Sequence, residues 1–419
     1  MYNLKYSNTV LINLIIASII PFLILGPFFP DMIVSVSALF FLYYVLKNNN
    51  FYYFNNIPFI TFLLFCIIST ICSLEAEDIS QSIKSSLFYF RIGVFSCFIW
   101  YLIDKDKNIL TYFYYTLILC FLALVIDGYF LFFTGENILG LKLINNRVSS
   151  FFGDELIMGS YLSRLFPLLF ALFLIKQKQK FEIYFIGLLF ILVDILIFVS
   201  GERSALFFLN LSSIFIIILI KEYQKFRLVT FIIAIVCIII LSLNSSIMSE
   251  RMFKEPAKNM GLFKSSTEAI IFTPIHDSHY RTAYNMFKDK PILGHGPKMF
   301  RIKCADSKYS TGKKPCSTHP HNFYIQLLAE TGIIGFLFLF SALCYVFYAA
   351  LRQFKSIIFK QKRPLTDYQV CLLAGILITV WPITPNGNLF NNWLMITYSL
   401  PIGFYLQSIY SKKQLKKEC

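Results

Sequence analysis

Charge is scarce in this sequence. Asp, Glu, Lys and Arg make up only 15% of its 419 residues, against 57% hydrophobic and 18% aromatic, which excludes a soluble domain of this length. Acidic residues are scarcer than basic ones, 23 against 38, and there are only five histidines. No repeat with a period of roughly 20 to 50 residues is present, and no inverted halves of the transporter kind. These absences leave an all-α polytopic membrane protein.

Apolar runs long enough to cross a bilayer of roughly 30 Å as helices recur about twelve times. They lie near 9–26, 31–46, 57–74, 85–103, 109–133, 156–175, 182–199, 203–220, 228–246, 322–350, 368–384 and 393–410. The first run lacks a small-residue cleavage site and reads as a retained helix. Residues 1–246 thus hold nine spans, 247–321 a large loop, and 322–419 three spans with a basic tail.

Short basic connectors stay on the cytoplasmic side. Lys47, Lys105 with Lys107, KQKQK at 176–180, KEYQKFR at 221–227 and Arg352 to Arg363 alternate without a break. With Lys5 and the KKQLKK tail at 412–417 they place both termini in the cytoplasm. The connectors LEAED at 74–78 and TPNGNLFNN at 384–392 face outward, with Trp381 and Trp393 flanking the latter as interfacial anchors. The net charge of +15 therefore reflects topology and calls for no nucleic-acid partner. Residues 247–321 carry thirteen Lys and Arg against six Asp and Glu. Long loops translocate largely regardless of charge, so this excess is allowed outside, where it attracts anions.

Seven of the ten cysteines lie in apolar runs and Cys419 in the tail, leaving Cys304 and Cys316 in the outer loop. A disulfide there fits an oxidising exterior, and two free thiols are the alternative.

Charges inside spans are costly and therefore informative. Arg91, Asp127, Arg164, Asp194 and Glu330, with Arg203 at a helix start, all fall in the outer halves of their spans. They read either as a cavity open to the outside or as structural pairs neutralising one another. All five histidines, His276, His279, His295, His319 and His321, lie in the outer loop or at its exit. HDSH at 276–279 and HPH at 319–321 each offer two nitrogens to Zn²⁺, but no adjacent carboxylate or cysteine set completes a metal site. His276 and His279 then read as solvated loop residues.

In HNFYIQLLAETGIIG, 321–335, Thr318 or His319 is expected to cap a helix with Pro320 in its first turn. His321 would sit among free backbone N–H groups, whose positive field keeps imidazole neutral and able to accept a proton as a general base. Asn322, Gln326 and Glu330 share one stripe of that helix. Glu330 is about 13.5 Å along the axis from His321, so its expected partner is an arginine on another helix. Gly332 and Gly335 are expected to permit close helix approach.

SGERSALFF, 200–208, sets Glu202 and Arg203 at an outer turn, and RTAYNMFKDKPILGHGPKMF, 281–300, opens with Arg281. Two guanidiniums beside a histidine suit a diphosphate, because the planar fork grips phosphate oxygens bidentately and keeps its charge. Arg147, in NNRVSSFFGDE, is a weaker candidate for phosphate or sugar contact.

At these residues the sequence resembles the O-antigen ligase and polymerase superfamily of bacterial envelope glycosyltransferases. The likeness rests on the twelve-helix layout, the large loop before the tenth helix, the arginine of SGERSAL, the Arg281 to Gly296 pattern with PxxGxG, and HNFYIQLLAETGIIG. It implies a fold like the membrane-embedded C-type glycosyltransferases. It also implies transfer of glycan from an undecaprenyl diphosphate carrier on the periplasmic face of the bacterial inner membrane, without metal or other cofactor. The large loop resembles the ligase arrangement, so the expected acceptor is lipid A core. A polymerase joining carrier-linked repeats and a protein O-oligosaccharyltransferase are the alternatives. A transporter of a lipid-linked anion would require polar residues reaching the inner half of the bundle.

Overall fold

The computed structural model describes residues 2–176, 179–259 and 272–414. Outside them lie Gln177 and Lys178 of the KQKQK run, 260–271 of the outer loop, and the end of the basic tail with Cys419. The described chain is helical. Its helices are α1 (Tyr2–Ala17), α2 (Ile19–Leu25), α3 (Phe28–Lys47), α4 (Ile57–Leu74), α5 (Ile79–Ser86), α6 (Phe90–Lys105), α7 (Asn108–Thr134), α8 (Met158–Ile175), α9 (Lys180–Val199), α10 (Arg203–Leu219) and α11 (Gln224–Asn244). The segment between the ninth and tenth expected runs adds α12 (Ser246–Ser249), α13 (Glu255–Asn259), α14 (Pro274–Asp289) and α15 (Phe300–Lys303). The chain then returns through α16 (Phe323–Ile358), α17 (Asp367–Thr379) and α18 (Asn392–Gln414). Among the described residues the only β pairing is two isolated bridges between 136 and 147.

Eight helical stretches are long and apolar enough to cross a membrane, and Thr9–Leu25, Arg203–Leu219 and Asp367–Thr379 are shorter apolar helices. Together with α18 they fall on the twelve expected runs. Helices are the required form, because each backbone N–H and C=O must find its partner within the segment where water is absent. Large apolar side chains such as Leu243, Phe133 and Ile57 are more than three-quarters exposed, an arrangement stable only against lipid. The protein is an all-α polytopic membrane protein.

Among Arg91, Asp127, Arg164 and Asp194, none pairs with another of the four. Arg91 pairs with Asp31 of α3 at 2.5 Å, and Asp194 pairs with Arg227 at 2.8 Å. Asp127 accepts hydrogen bonds from Ser150, Asn137 and the Ile138 N–H. Arg227 is the residue that the charge pattern misplaces. It belongs to a basic connector by sequence, yet it stands one turn inside α11, fully buried, with Ser213 as a further partner. Polar groups therefore do reach the inner half of the bundle, but as a closed pair.

Gly332 divides α16. Its φ of 63° and ψ of −162° break the helix, so the continuous span expected through TGIIG is replaced by two pieces. The freed backbone groups are taken up by the 291–296 segment. The His295 N–H donates to the Ala329 carbonyl at 3.0 Å, the Gly296 N–H to the Glu330 carbonyl at 2.8 Å, and the Ile333 N–H to the Pro291 carbonyl at 2.8 Å. A Cβ on Gly332 would lie 2.1 Å from the Ile292 carbonyl oxygen, and one on Gly294 would lie 2.5 Å from the Glu330 backbone. These glycines serve backbone docking of PxxGxG into the helix break. Close packing of two smooth helices is not what they provide.

Candidate active site

The segment 380–391 clamps the start of α16. Asn322, rather than Thr318 or His319, is the helix cap, its Oδ1 accepting the Tyr324 and Ile325 N–H groups at 2.9 and 3.1 Å. Its Nδ2 donates to the Pro382 carbonyl at 2.6 Å. The Asn386 N–H donates to the His321 carbonyl at 2.8 Å, and Gln326 donates to Asn388 while accepting from the Leu389 N–H. His321 thus precedes the helix, in the left-handed region at φ 60°.

Arg164 anchors this clamp from below. It is 3% exposed, donates to the Ile378 carbonyl and to Asn386 Oδ1 at 2.7 Å each, and lies between the Phe208 and Tyr398 rings at 4.1 Å. A buried guanidinium with aromatic faces above and below can hold two neutral acceptors without a carboxylate.

Above the clamp α14 lies against the first piece of α16. Thr273 caps it, accepting from the His276 N–H, and its inner face brings His276 and His279 to His321. The His321 ring lies 5.4 Å from His276, 5.5 Å from His279 and 4.2 Å from His319, centroid to centroid. His279 is buried, so these are not solvated loop histidines. Burial, then the charges on His276 and His279, push His321 down to about 4. His319 is pushed down to about 3 by burial first and His321 second. The cause of this shift is burial among histidines and not a helix terminus, since His321 precedes the helix. Among the described residues no three His, Cys, Asp or Glu side chains stand together as a metal site.

Glu330 takes hydrogen bonds from Gln326 at 2.9 Å and from the Phe300 N–H at 3.2 Å; no arginine ion-pairs with it among the described residues. It ties α15 to α16. Cys304 and Cys316 are disulfide-bonded, closing the chain between α15 and the histidines. The bridge is expected to stabilise the segment by up to about 3 kcal/mol. Mass spectrometry of unreduced protein should find these two peptides joined; both thiols free would contradict the pairing.

The second cluster surrounds the turn from α9 to α10. Glu202 accepts from the Gly159 N–H at 2.6 Å and from the Ser160 N–H and hydroxyl, so it caps α8. Arg147 donates to the Ser200 and Leu156 carbonyls, with its guanidinium 3.9 Å from Glu202. Arg203 pairs with Glu255 and donates to the Arg251 carbonyl, while Arg251 donates to the Gly201 carbonyl. Three guanidiniums therefore crowd one turn, and Arg251 went unnoticed in the sequence because its partners lie fifty residues away.

The structure does not bring Arg281 to His321. Arg281 is 68% exposed and pairs with Asp277 at 2.8 Å. It stands two residues after the buried His279, which on a helix is the opposite face. Nor does any described contact join Arg203 to His321 directly. The connection runs through Phe208 of α10, Arg164, Asn386 and the His321 carbonyl.

A search of curated proteins finds no match to the chain. Residues 186–340 match the family model described as O-antigen ligase, a span that contains Arg203, Arg281, His321 and Glu330. This match supports placing the chain in the O-antigen ligase superfamily.

Proposed function

We propose that this protein transfers glycan from an undecaprenyl diphosphate carrier to lipid A core on the periplasmic face of the inner membrane. Family members are glycosyltransferase-like ligases and polymerases. The observation that carries the proposal is the histidine cluster at the mouth of the bundle, where the His321 ring lies 5.4 Å from His276 and 5.5 Å from His279 while its backbone carbonyl accepts from the Asn386 N–H. The acceptor hydroxyl gives its proton to His321 while its oxygen bonds to the anomeric carbon. The electron pair of the broken carbon–oxygen bond leaves with the carrier diphosphate, and the anomeric centre inverts.

The diphosphate is assigned to Arg203 with Arg147, and to Arg281 from the α14 side. Arg203–Glu255 and Arg281–Asp277 are solvent-exposed pairs, each worth about 1 kcal/mol or less, so a bidentate diphosphate can displace the carboxylates. Glu202, Asn322, Gln326 and Glu330 hold the backbone that presents these groups. The Cys304–Cys316 bridge supports an oxidising, outward setting for this segment, and the basic connectors support cytoplasmic termini. Surface glycolipids of a deletion strain test the acceptor. Uncapped core with polymer retained on the carrier is expected; core bearing a single repeat would instead mean a polymerase.

A further inference from the structure

Most described lysines near α15 are engaged: Lys303 pairs with Glu77 and Lys308 with Asp289. Lys298 and Arg301 are different. Neither lies within ion-pair distance of a carboxylate among the described residues, although both are partly buried, and Arg301 Nε is a buried donor without a partner. Lys298 is held at φ 62° immediately after the docked PxxGxG turn, and Arg301 follows Phe300, whose N–H is fixed by Glu330 and whose ring lies 6.3 Å from His279. The disulfide three residues further on returns the chain to Ser317 and His319.

Two buried ring nitrogens, His279 Nδ1 and His319 Nε2, make no well-formed hydrogen bond, although the Cys316 and Asn386 backbones lie near those rings, and His319 feels the Arg301 charge. His279 is 3% exposed. Leaving a buried polar atom unpaired is costly, so several on neighbouring side chains mark a place where something else binds. The nearest acid, Glu330, already accepts from Gln326 and the Phe300 N–H.

We propose that Lys298 and Arg301, with the rings of His279 and His319, form an anion subsite beside His321 that holds a phosphate or carboxylate of the glycan acceptor. The proposal rests on His321 being the base for the acceptor hydroxyl. Inverting displacement puts the attacking oxygen and the leaving diphosphate on opposite sides of the reacting carbon. An anion held beside the base therefore belongs to the acceptor, and the donor's charge belongs at the arginine turn and at Arg281, on the face of α14 away from His279. The acceptor class is a sugar bearing an acidic substituent close to the hydroxyl that reacts.

Full-length protein in nanodiscs, with ¹⁵N-labelled histidine, gives few enough resonances to assign by single His→Gln variants. Methyl phosphate should shift the His279 and His319 signals. Arg301→Gln and Lys298→Gln should each raise the midpoint roughly tenfold, and Arg301→Lys should restore part of the loss. Farnesyl diphosphate, standing in for the donor, should bind without displacing methyl phosphate. Absence of a shift, or a midpoint unmoved by both Gln variants, would overturn the subsite. Displacement by farnesyl diphosphate would assign the anion to the donor and overturn the acceptor claim. Full glycan transfer by His321→Ala would remove the base assignment on its own, leaving the phosphate titration to be read separately.

Discussion

His321→Ala is expected to lower turnover by roughly 10²- to 10⁴-fold while leaving affinity for a carrier diphosphate analogue nearly unchanged. Proton transfer contributes mainly in the transition state, so its loss appears in kcat. The pH dependence carries a second mark of the same group. A base works in its unprotonated form, and burial among His276 and His279 pushes His321 down to about 4. In the free enzyme kcat/KM should therefore hold steady as pH falls through the ordinary histidine value of about 6.5 and decline only near 4. A bound diphosphate brings negative charge, favours imidazolium and should move the corresponding limb of kcat upward. Lost analogue binding in His321→Ala, with turnover following binding alone, would make the histidine a phosphate contact instead.

The other large effect is expected at Gly332. Its φ and ψ lie in a region open almost only to glycine, costing another residue about 1–3 kcal/mol, and an added Cβ would meet the Ile292 carbonyl oxygen at 2.1 Å. Backbone cannot yield as a side chain can, so Gly332→Ala should expel the 291–296 segment from the helix break. That segment supplies the turn before α15, and both lie against the elements carrying the histidines. Gly332→Ala should lose glycan transfer and lower the melting temperature of the detergent-solubilised protein by several degrees. Gly135→Ala, where nothing lies within 4 Å of the added carbon, controls for positive φ alone. Equal melting and activity in Gly332→Ala and the native protein would show that docking at the break is dispensable.

Much of this architecture is legible in local pattern, because a membrane span needs only length and apolarity. The twelve runs can be found that way, and the Cys304–Cys316 pair from its being the two cysteines of the loop before α16. What escapes depends on partners far along the chain. TGIIG reads as continuous helix until Pro291 and Gly296 supply the backbone partners that stabilise its break. His276 and His279 read as solvated until α14 packs them against His321. Asn386 and Asn388 are uncharged residues of a short connector, and nothing local marks them as the clamp on the start of α16. Arg227 imitates a cytoplasmic charge because it begins a helix, yet its side chain is buried against Asp194.

Reconstituted transfer tests the central claim most directly. Purified protein in liposomes, supplied with glycan on undecaprenyl diphosphate and with lipid A core, should join one glycan to core for each carrier diphosphate released. It should do so in excess EDTA and without nucleotide, and His321→Ala should abolish most of that product. Persistent failure to transfer by folded native protein with this donor and acceptor, or activity restored only by Mg²⁺, Mn²⁺ or Zn²⁺, would contradict the account.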